Sequence, residues 1–508
     1  MRRAAILLIA LAAAASCARS APPLDRPLVL GLTSGPTNLD PGIGLDETSQ
    51  RIDQLVFSSL LSIGPDLRIV PDLATRFDAD GPQAYVATIP TGVRFHDGRE
   101  LTSDDVAYTF RRFLDPAFVS GKKGAFSDLA AVDVVDPLTV RFRLKRPSTA
   151  FPASLTNLGI VPAGTGASAA RAPVGSGPYR VTEVDPDDHV TLAAFAGYYR
   201  GAPRNSGLVI KVIPDDTMRG LELRKGDVDL VVNDLPPDLV HGLSTVPHLR
   251  VTSSAGTDYA YMGLNLRDGA LADRRVRQAI GYAIDRPAII KYLRRDFARE
   301  TSGIIPEMSW AYSPELFRFT YDPARAKALL DEAGYRDPDG DGPAPRLTLS
   351  FKTSTSEQYR LQAAVLQEQL RRVGIALDVR SYEFATLFAD IVRGNFQLYT
   401  LVFSAGAAAD PDILRRIFHS SQTPPSGFNR GHYSNPDVDR LLELATGATT
   451  LDDRRRYYVE AQQLIAVDAP VISLYARSNY VVAQSSLEGI SLSPLGDLAF
   501  LPGVSRVR

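Results

Sequence analysis

Aromatic and small polar residues are the part of this sequence whose types and spacing could form a binding site. Tyr259 and Tyr261 are two residues apart in an extended stretch, so a pleated strand would place both rings on one face. Phe403 and Ser404 close an almost continuously apolar stretch and could line the same pocket. For any one of these aromatic residues, a place in the hydrophobic core is an equally good interpretation.

Three further polar residues are candidates for contact with a ligand. Thr37 and Asn38 lie in the loop that follows the first predicted strand, 28–32, and such loops commonly face a ligand crevice in α/β sheets. We expect them to orient a ligand's backbone. Asn265 follows the tyrosine strand and either contacts the ligand or only caps the turn.

Motifs for other chemistries are weak or missing. The segment 337-DPDGDG-342 resembles the start of a calcium-binding loop, but Thr348 stands where the bidentate glutamate should be, so a polar turn is the better interpretation. No phosphate-binding loop and no nucleophile elbow are present. The histidines have no metal-ligand spacing; they are His96, His189, His241, His248, His419 and His432. We therefore expect no metal, no cofactor and no enzymatic activity.

Length and composition indicate a soluble globular protein of at least two lobes. The chain has 508 residues, and single cores stop growing at roughly 250–300 residues. The net charge is −2, so the chain lacks the excess of positive charge that is typical of nucleic-acid-binding proteins. Beyond the N-terminus, no apolar run approaches the length of about 18 residues needed to span a bilayer.

The N-terminus has the pattern of an export signal. Arg2 and Arg3 precede an apolar run, and the only cysteine, Cys17, follows small residues. This arrangement resembles a bacterial lipobox, in which the cysteine is acylated; a plain signal peptide is the alternative. We expect a signal peptide over 1–17, a linker over 18–27, and a lipid anchor that holds a soluble body at the membrane.

Two patterns predict how the candidate residues are positioned. The stretch 259–286 reads as a strand, a polar turn and a helix with Asp273 as N-cap, whose four arginines we expect on the solvent side. Residues 347–403 alternate strand and helix, which predicts a βαβαβ unit ending in a central parallel strand.

Several segments together resemble the family 5 extracellular solute-binding proteins of peptide/nickel-type ABC transporters. They occur in order along nearly all of the mature chain. The matching segments are 36-PTNLDP-41, 92-GVRFHDGRELTSDDVAYTF-110, 173-PVGSGPY-179, 271-LADRRVRQAIGYAIDR-286, 321-YDPARAKALLDEAGYRDPDGDG-342, 410-DPDILRRIFHS-420 and 433-YSNPDVDRLL-442.

The resemblance implies an α/β fold, the two-lobed class II periplasmic-binding-protein fold, with an extra small domain inserted in lobe I. By analogy, lobe I comprises 28–40, 171–262 and 475–508, the inserted domain 41–170, and lobe II 263–474. It also implies a monomer that captures a peptide-like or other small organic solute between the lobes. Its partners would be ABC permease subunits with an ATPase, and its place the periplasm or the cell surface.

One departure from the family bears on the ligand. Peptide-binding members carry a Trp and an Asp just before the Asp-Pro motif, and that Asp holds the ligand's α-amino group. Here the stretch 403-FSAGAAADPD-412 has neither residue in place. A capped or modified peptide, a sugar, an opine or a metallophore is therefore favoured over a zwitterionic peptide.

Two other functions stay open on the sequence. A binding protein that senses its ligand without transport would share the same fold. An extracellular hydrolase on this scaffold would need an activated nucleophile or a metal, and the sequence offers neither pattern.

Overall fold

The computed structural model describes residues 26–340, 342–403, 410–424, 427–448 and 450–507. Cys17 and Ser404, two of the predicted functional residues, lie outside these ranges. The elements up to residue 170 are β1 (Leu28–Leu32), β2 (Leu61–Ile63), β3 (Ile69–Pro71), β4 (Arg76–Ala79), β5 (Ala84–Thr88), β6 (Leu129–Asp136), β7 (Thr139–Leu144), α1 (Glu47–Val56), α2 (Ser103–Arg111) and α3 (Phe151–Ser154).

The middle of the chain supplies five strands and two helices among the described residues. These are β8 (Tyr179–Asp185), β9 (His189–Ala194), β10 (Gly207–Val212), β11 (Leu230–Val232), β12 (Leu249–Leu264), α4 (Asp216–Lys225) and α5 (Pro237–Leu243). β12 is the long strand that contains both candidate tyrosines.

The remainder of the chain contains most of the helices. Its helices are α6 (Gly269–Ala272), α7 (Arg274–Ala283), α8 (Arg286–Ala288), α9 (Pro323–Glu332), α10 (Glu357–Arg371), α11 (Phe384–Arg393), α12 (Ile413–Phe418), α13 (Pro436–Gly447) and α14 (Leu451–Asp468). Its strands are β13 (Ala298–Arg299), β14 (Leu347–Ser354), β15 (Ile375–Tyr382), β16 (Leu398–Phe403), β17 (Val471–Gln484), β18 (Leu487–Glu488) and β19 (Ser505–Arg506). None of the described helices combines the length and the apolar character needed to cross a membrane.

A single large sheet runs through both lobes. Within the described ranges its strand order is β15-β14-β16-β12-β17-β11-β1-β10-β9-β8, with β13 beside β17. The first part of β12, up to Ala255, pairs with Ser478–Gln484, and its last part, from Tyr259, pairs with β16. The lobe I and lobe II parts of the sheet therefore meet along β12 and β17.

Residues 41–170 form sheets of their own. β4, β5, β7 and β6 make a four-stranded antiparallel sheet, and β2 pairs with β3. This region buries a separate apolar cluster around Phe110 and Phe142, whose rings meet edge to face. This separate core runs from Leu60 to Ile160, whereas Ile52 and Leu55 of α1 pack in the lobe I core. The predicted boundaries of the inserted domain remain a proposal.

Apolar side chains cover both faces of the lobe II sheet. Met262 and Leu264 of β12 pack with α7, α9 and α10, whereas Tyr259 and Tyr261 pack on the other face with α11 to α14. The predicted βαβαβ unit is present as β14-α10-β15-α11-β16. Its last strand differs from the prediction, because β16 is parallel to β14 and antiparallel to β12.

The expectation that all arginines of 273–286 lie on the solvent side is wrong for two of them. Arg277 and Arg286 are 5% and 4% exposed, respectively. Arg277 donates to the carbonyl oxygens of Asp468 and Ala469, at 2.7 and 3.2 Å. Arg286 donates to the carbonyl oxygens of Ser473 and Phe319, and burial lowers its pKa to about 10. Backbone acceptors at strand and helix ends thus replace water around both guanidinium groups.

Candidate functional site

The carboxyl ends of the parallel strands converge on the gap between the lobes. In lobe I, β11 is parallel to β1 and ends at Val232, opposite Val481, on the part of β17 that leads toward lobe II. In lobe II, β16 ends at Phe403, opposite Tyr259, where β12 enters that lobe. Ligands of open α/β sheets bind outside the carboxyl ends of the strands, so both lobes present that edge to one cleft.

The crossing point of β12 is an irregularity in the sheet. Ala255 pairs with Ser478 and Tyr259 with Ala476, so the three residues between them oppose Arg477 alone. Such a bulge bends the strand and increases its twist. A side chain at Gly256 would meet the carbonyl oxygen of Arg477 at 2.5 Å, so only glycine fits this close approach. The bulge lies where β12 passes from the lobe I part of the sheet to the lobe II part.

Two contacts join lobe II to the rest of the molecule. Thr149 of the 41–170 region donates its hydroxyl to the carbonyl oxygen of Thr446, at the end of α13, at 3.3 Å. Elsewhere, Arg295 pairs with Asp238 of α5 at 2.5 Å. These contacts join lobe II to both parts of the other half of the molecule.

The loop after β1 carries Thr37 and Asn38, and its own hydrogen bonds fix it. The backbone N–H groups of both residues donate to Ser49 Oγ, at 3.1 and 3.2 Å. The Thr37 hydroxyl donates to Asp46, and Asn38 Oδ1 accepts from the N–H of Asp40 at 2.9 Å. Burial raises the pKa of Asp46, but hydrogen bonds from Ser49 and Thr37 outweigh it and leave that pKa lowered. The loop is thus rigidly positioned at the lobe I edge.

Three of the predicted aromatic residues lie together at the lobe II edge. The rings of Tyr259 and Tyr261 are stacked with centroids 5.6 Å apart, as their spacing on one strand face predicts. Phe403 is the cross-strand partner of Tyr259. Both tyrosines are largely buried, and the Tyr259 hydroxyl bonds Ser473 Oγ at 2.7 Å. Burial raises the pKa of Tyr259, so this phenol stays neutral.

Asn265 does not lie beside Tyr259 and Phe403. It follows the last residue of β12, six residues beyond Tyr259, a separation of roughly 20 Å along an extended strand. Its amide nitrogen donates to the carbonyl oxygens of Phe396 and Gly394, at 2.9 and 3.3 Å, and its Oδ1 accepts from the N–H of Arg267. The side chain is fully used in holding the turn.

Arginine and phenylalanine side chains that sequence patterns did not single out surround the end of β16. Phe428 packs its ring edge to face with Phe403, at 6.1 Å between centroids. The guanidinium carbons of Arg416 and Arg430 lie 4.4 and 5.6 Å from the centroid of the Phe428 ring. These residues have no periodic signal; only the overlap of Arg416 with the motif 410–420 pointed to their region.

Two indentations lie on the tyrosine face of the lobe II sheet. One encloses about 370 Å³, counting space open to solvent, and is lined by Tyr261, Tyr399, Phe403, Phe428 and Arg430 among others. The other encloses about 720 Å³ on the same basis, beneath residues 300–319. The larger one is lined by Tyr259 of β12 and by residues between 286 and 473.

Metal ligands do not cluster in the described part of the chain. In the segment that resembles a calcium loop, Asp337 pairs with Arg346 at 3.1 Å, and Asp339 accepts from the N–H of Ala344 at 3.0 Å. Asp341 of that segment lies outside the described residues. The carboxylates of Asp337 and Asp339 therefore have a structural use as a polar turn.

Comparison with known proteins decides the family. The model of the bacterial extracellular solute-binding proteins, family 5, matches residues 68–425. The chain belongs to this family. The oligopeptide-binding protein AppA of Bacillus subtilis is 29% identical to this solute-binding protein over 496 residues, covering 93% of the chain and 90% of AppA. The glutathione-binding protein GsiB of Escherichia coli strain K12 is 28% identical over 499 residues, covering 96% of the chain and 95% of GsiB.

Solved structures share the fold of this solute-binding protein. The structure of Bacillus subtilis AppA in complex with a nonapeptide matches with a TM-score of 0.79 and 27% identity, covering 96% of this chain and all of that one. NikZ from Campylobacter jejuni in complex with Ni(L-His) matches with a TM-score of 0.78 and 26% identity, covering 95% of this chain and all of NikZ. The predicted two-lobed binding-protein fold is confirmed.

Proposed function

We propose that this protein is the extracytoplasmic receptor of an ABC importer, which captures a solute between its lobes and delivers it to the permease. The observation that carries the proposal is the single sheet that crosses both lobes and turns its parallel-strand ends toward one cleft. Membership of family 5 supports the same function. Closure about β12 and β17 would enclose the solute and create the surface that the permease recognises.

The solute is peptide-like or another small organic molecule. AppA and GsiB are named as oligopeptide- and glutathione-binding proteins, and NikZ holds a nickel–histidine complex. The stretch 403–412 lacks the aspartate that holds a peptide's α-amino group in relatives. A ligand without a free α-amine, such as a capped or modified peptide or an opine, is therefore our choice.

We assign the cleft walls to the residues that the sequence singled out. Thr37 and Asn38 orient the ligand from the lobe I loop, and Phe403 with Tyr261 contributes the wall of lobe II. Tyr259 supports Phe403 from the opposite strand, while Ser404 stays a prediction outside the described residues. The positions of Thr37, Asn38 and Phe403 at strand ends that face the cleft support this assignment.

The protein is a monomer held at the outer face of a membrane, in the periplasm or at the cell surface. The signal-like N-terminus and the sole cysteine, Cys17, support a lipid anchor. We also propose that it is a receptor without enzymatic activity, in keeping with its family. Turnover of any member of an ester and peptide panel by the purified protein would contradict that part.

Ligand binding by the purified protein tests the proposal. Native mass spectrometry would first reveal any solute that copurifies, and a thermal-shift screen would follow with peptides, capped peptides, sugars and opines. A ligand at one hundred times its Kd stabilises the folded state by roughly 2.7 kcal/mol, which raises the Tm measurably. A transporter operon around the gene would separate import from sensing. Absence of binding to every class would overturn the proposal.

A further inference from the structure

Two arginines stand at the end of β16 without carboxylate partners. Arg430 donates Nη1 to the hydroxyl oxygen of Tyr261 at 3.2 Å, and its guanidinium carbon lies 5.1 Å from the centroid of Phe388. Arg416 is exposed, and its guanidinium lies over Phe428. Neither arginine forms an ion pair with any described residue, whereas the neighbouring Arg415 and Arg393 pair with Asp412 and Asp390.

The charges around this pair leave it electrostatically uncompensated. The carboxylate whose charge acts on Arg416 is that of Asp412. This carboxylate already pairs with Arg415 at 3.2 Å and accepts a hydrogen bond from the Thr446 hydroxyl at 3.1 Å. Arg430 is surrounded by the phenols of Tyr261 and Tyr399. The adjoining stretches outside the described ranges, 404–409 and 425–426, contain no Asp or Glu in the sequence. A negative charge must therefore come from outside the chain if these arginines are to be paired.

The geometry of the two guanidinium groups leaves donors available. A guanidinium stacked on an aromatic ring keeps its N–H groups in its own plane, where they can meet a carboxylate in a two-bond fork. Both arginines approach the same ring, Phe428, at 4.4 and 5.6 Å from its centroid.

One of the two arginines, Arg430, also lines an indentation, and Arg416 is not among the residues that line it. Arg430, Phe428 and Phe403 line the indentation of about 370 Å³ that opens where β16 ends. Phe403 faces Phe428 there, so an apolar portion of a ligand would meet two rings beside the two charges.

We propose that the cleft recognises a solute bearing a carboxylate beside an apolar group, with Arg416 and Arg430 binding the carboxylate and Phe403 and Phe428 contacting the apolar part. The inference rests on the proposed function and specifies its ligand class. In peptide-binding relatives an aspartate holds the ligand's α-amino group, and the stretch 403–412 lacks that aspartate. In this protein, arginines would instead hold a carboxylate of the ligand. The ligand is thus recognised by its acidic end.

Matched acid and amide probes test this inference on the full mature protein. One probe pool contains N-acetylated dipeptides and tripeptides with a free C-terminal carboxylate, and the other contains the same peptides as C-terminal amides. We expect the acids to raise the Tm and to bind at least roughly tenfold more tightly than the amides. Equal binding of acids and amides overturns the inference, and so does stabilisation by inorganic phosphate equal to that by the acids.

Variants show whether the named residues are responsible. R416Q and R430Q should each weaken acid binding by roughly tenfold and leave amide binding unchanged. R440Q removes an exposed arginine of α13 that already pairs with Asp437, so it should bind like the wild type. R430K controls for folding, because it keeps the positive charge but loses the fork, and it should bind acids with intermediate affinity.

Two outcomes separate this inference from the proposed function. If neutral solutes bind tightly and no acid does, the carboxylate site is wrong and the receptor function stands. The carboxylate site is equally wrong if the R416Q/R430Q double variant retains an acid that copurifies with the wild type. If no solute of any class binds, both proposals fail.

Discussion

Asn265 holds the turn that follows β12 through three hydrogen bonds to backbone groups. Replacement by alanine leaves the buried carbonyl oxygen of Phe396 without its side-chain donor. We expect N265A to lower the free energy of unfolding by about 2 kcal/mol, since an unpaired buried group costs about 1–3 kcal/mol. Urea denaturation measures this change. Ligand affinity should stay within twofold of the wild type, and a large loss of affinity at unchanged stability would instead assign Asn265 to the ligand.

Local rules at single residues predicted the caps but not the buried charges. Asp273 accepts from the backbone N–H of Arg275, as predicted for an N-cap, and Asp285 and Asp322 cap the helices that they precede in the same way. Arg277 and Arg286 are buried because carbonyl groups far along the chain surround them. Periodicity within one helix contains no information about such distant acceptors. The positions of Arg416 and Arg430 beside Phe428 were missed for the same reason.

One buried histidine, His96, contributes to the link between the 41–170 region and lobe I. His96 is in contact with the loop 173–179, where its Nδ1 accepts from the N–H of Gly175 at 3.3 Å and its Nε2 donates to the carbonyl oxygen of Gly177 at 3.1 Å. Burial lowers the pKa of His96 to about 4, and the Arg180 charge acts in the same direction. The His96 imidazole is therefore neutral at pH 7 where the 41–170 region meets the loop 173–179.

A pH dependence of stability follows from this histidine. Between about pH 6.5 and pH 4 the unfolded chain binds a proton at this ring that the folded protein does not, so stability falls as pH falls. At pH 5 the loss is about 2 kcal/mol for a shift of this size. We expect H96Q to lack this component, so that the difference in unfolding free energy between wild type and variant is smaller at pH 5 than at pH 7. A difference that is equal at both pH values would contradict the assignment.

At the level of elements, the alternation of strands and helices along the chain could be predicted from the sequence, but the order and direction of the strands in the sheet could not. The βαβαβ unit of lobe II is confirmed because each strand and helix has its own apolar pattern and its own end signals. The apolar run 396–403 predicted a buried strand, yet it could not indicate that one neighbour is antiparallel. Burial on both faces gives the same pattern for either direction of pairing.

The contact between Thr149 and Thr446 joins the 41–170 region to lobe II. We expect T149V to weaken solute binding about two- to tenfold, because the closed form loses a hydrogen bond of about 0.5–1.5 kcal/mol. The Tm without ligand should change little, because only one hydrogen bond is lost, and titration calorimetry measures the affinity. T182V serves as control, since the Thr182 hydroxyl bonds Thr191 within the β8–β9 hairpin of lobe I. Equal effects of both variants would exclude a role for this contact in closure.

The proposed lipid anchor belongs to the scale of the whole molecule. We expect the wild type to fractionate with membranes and to need detergent for release. C17S should appear in the soluble fraction, because serine offers no thiol for acylation. Cell fractionation followed by immunoblotting measures this, and ligand binding by the released protein should match that of the wild type. Membrane association of C17S equal to that of the wild type would contradict anchoring through Cys17, and a soluble wild type would leave only a plain signal peptide.

The position of β17 between β11 and β12 has a consequence for the order in which the chain can fold. β11 and β12 are complete by residue 264, but the strand that joins them spans Val471–Gln484. A chain that emerges N-terminus first therefore keeps two unpaired strand edges until most of its length is available. Open edges of this kind are sites for mispairing, and long-range pairing makes folding slow. Delayed completion of the sheet would also keep the chain unfolded for longer, the state in which a polypeptide is threaded through a translocation channel.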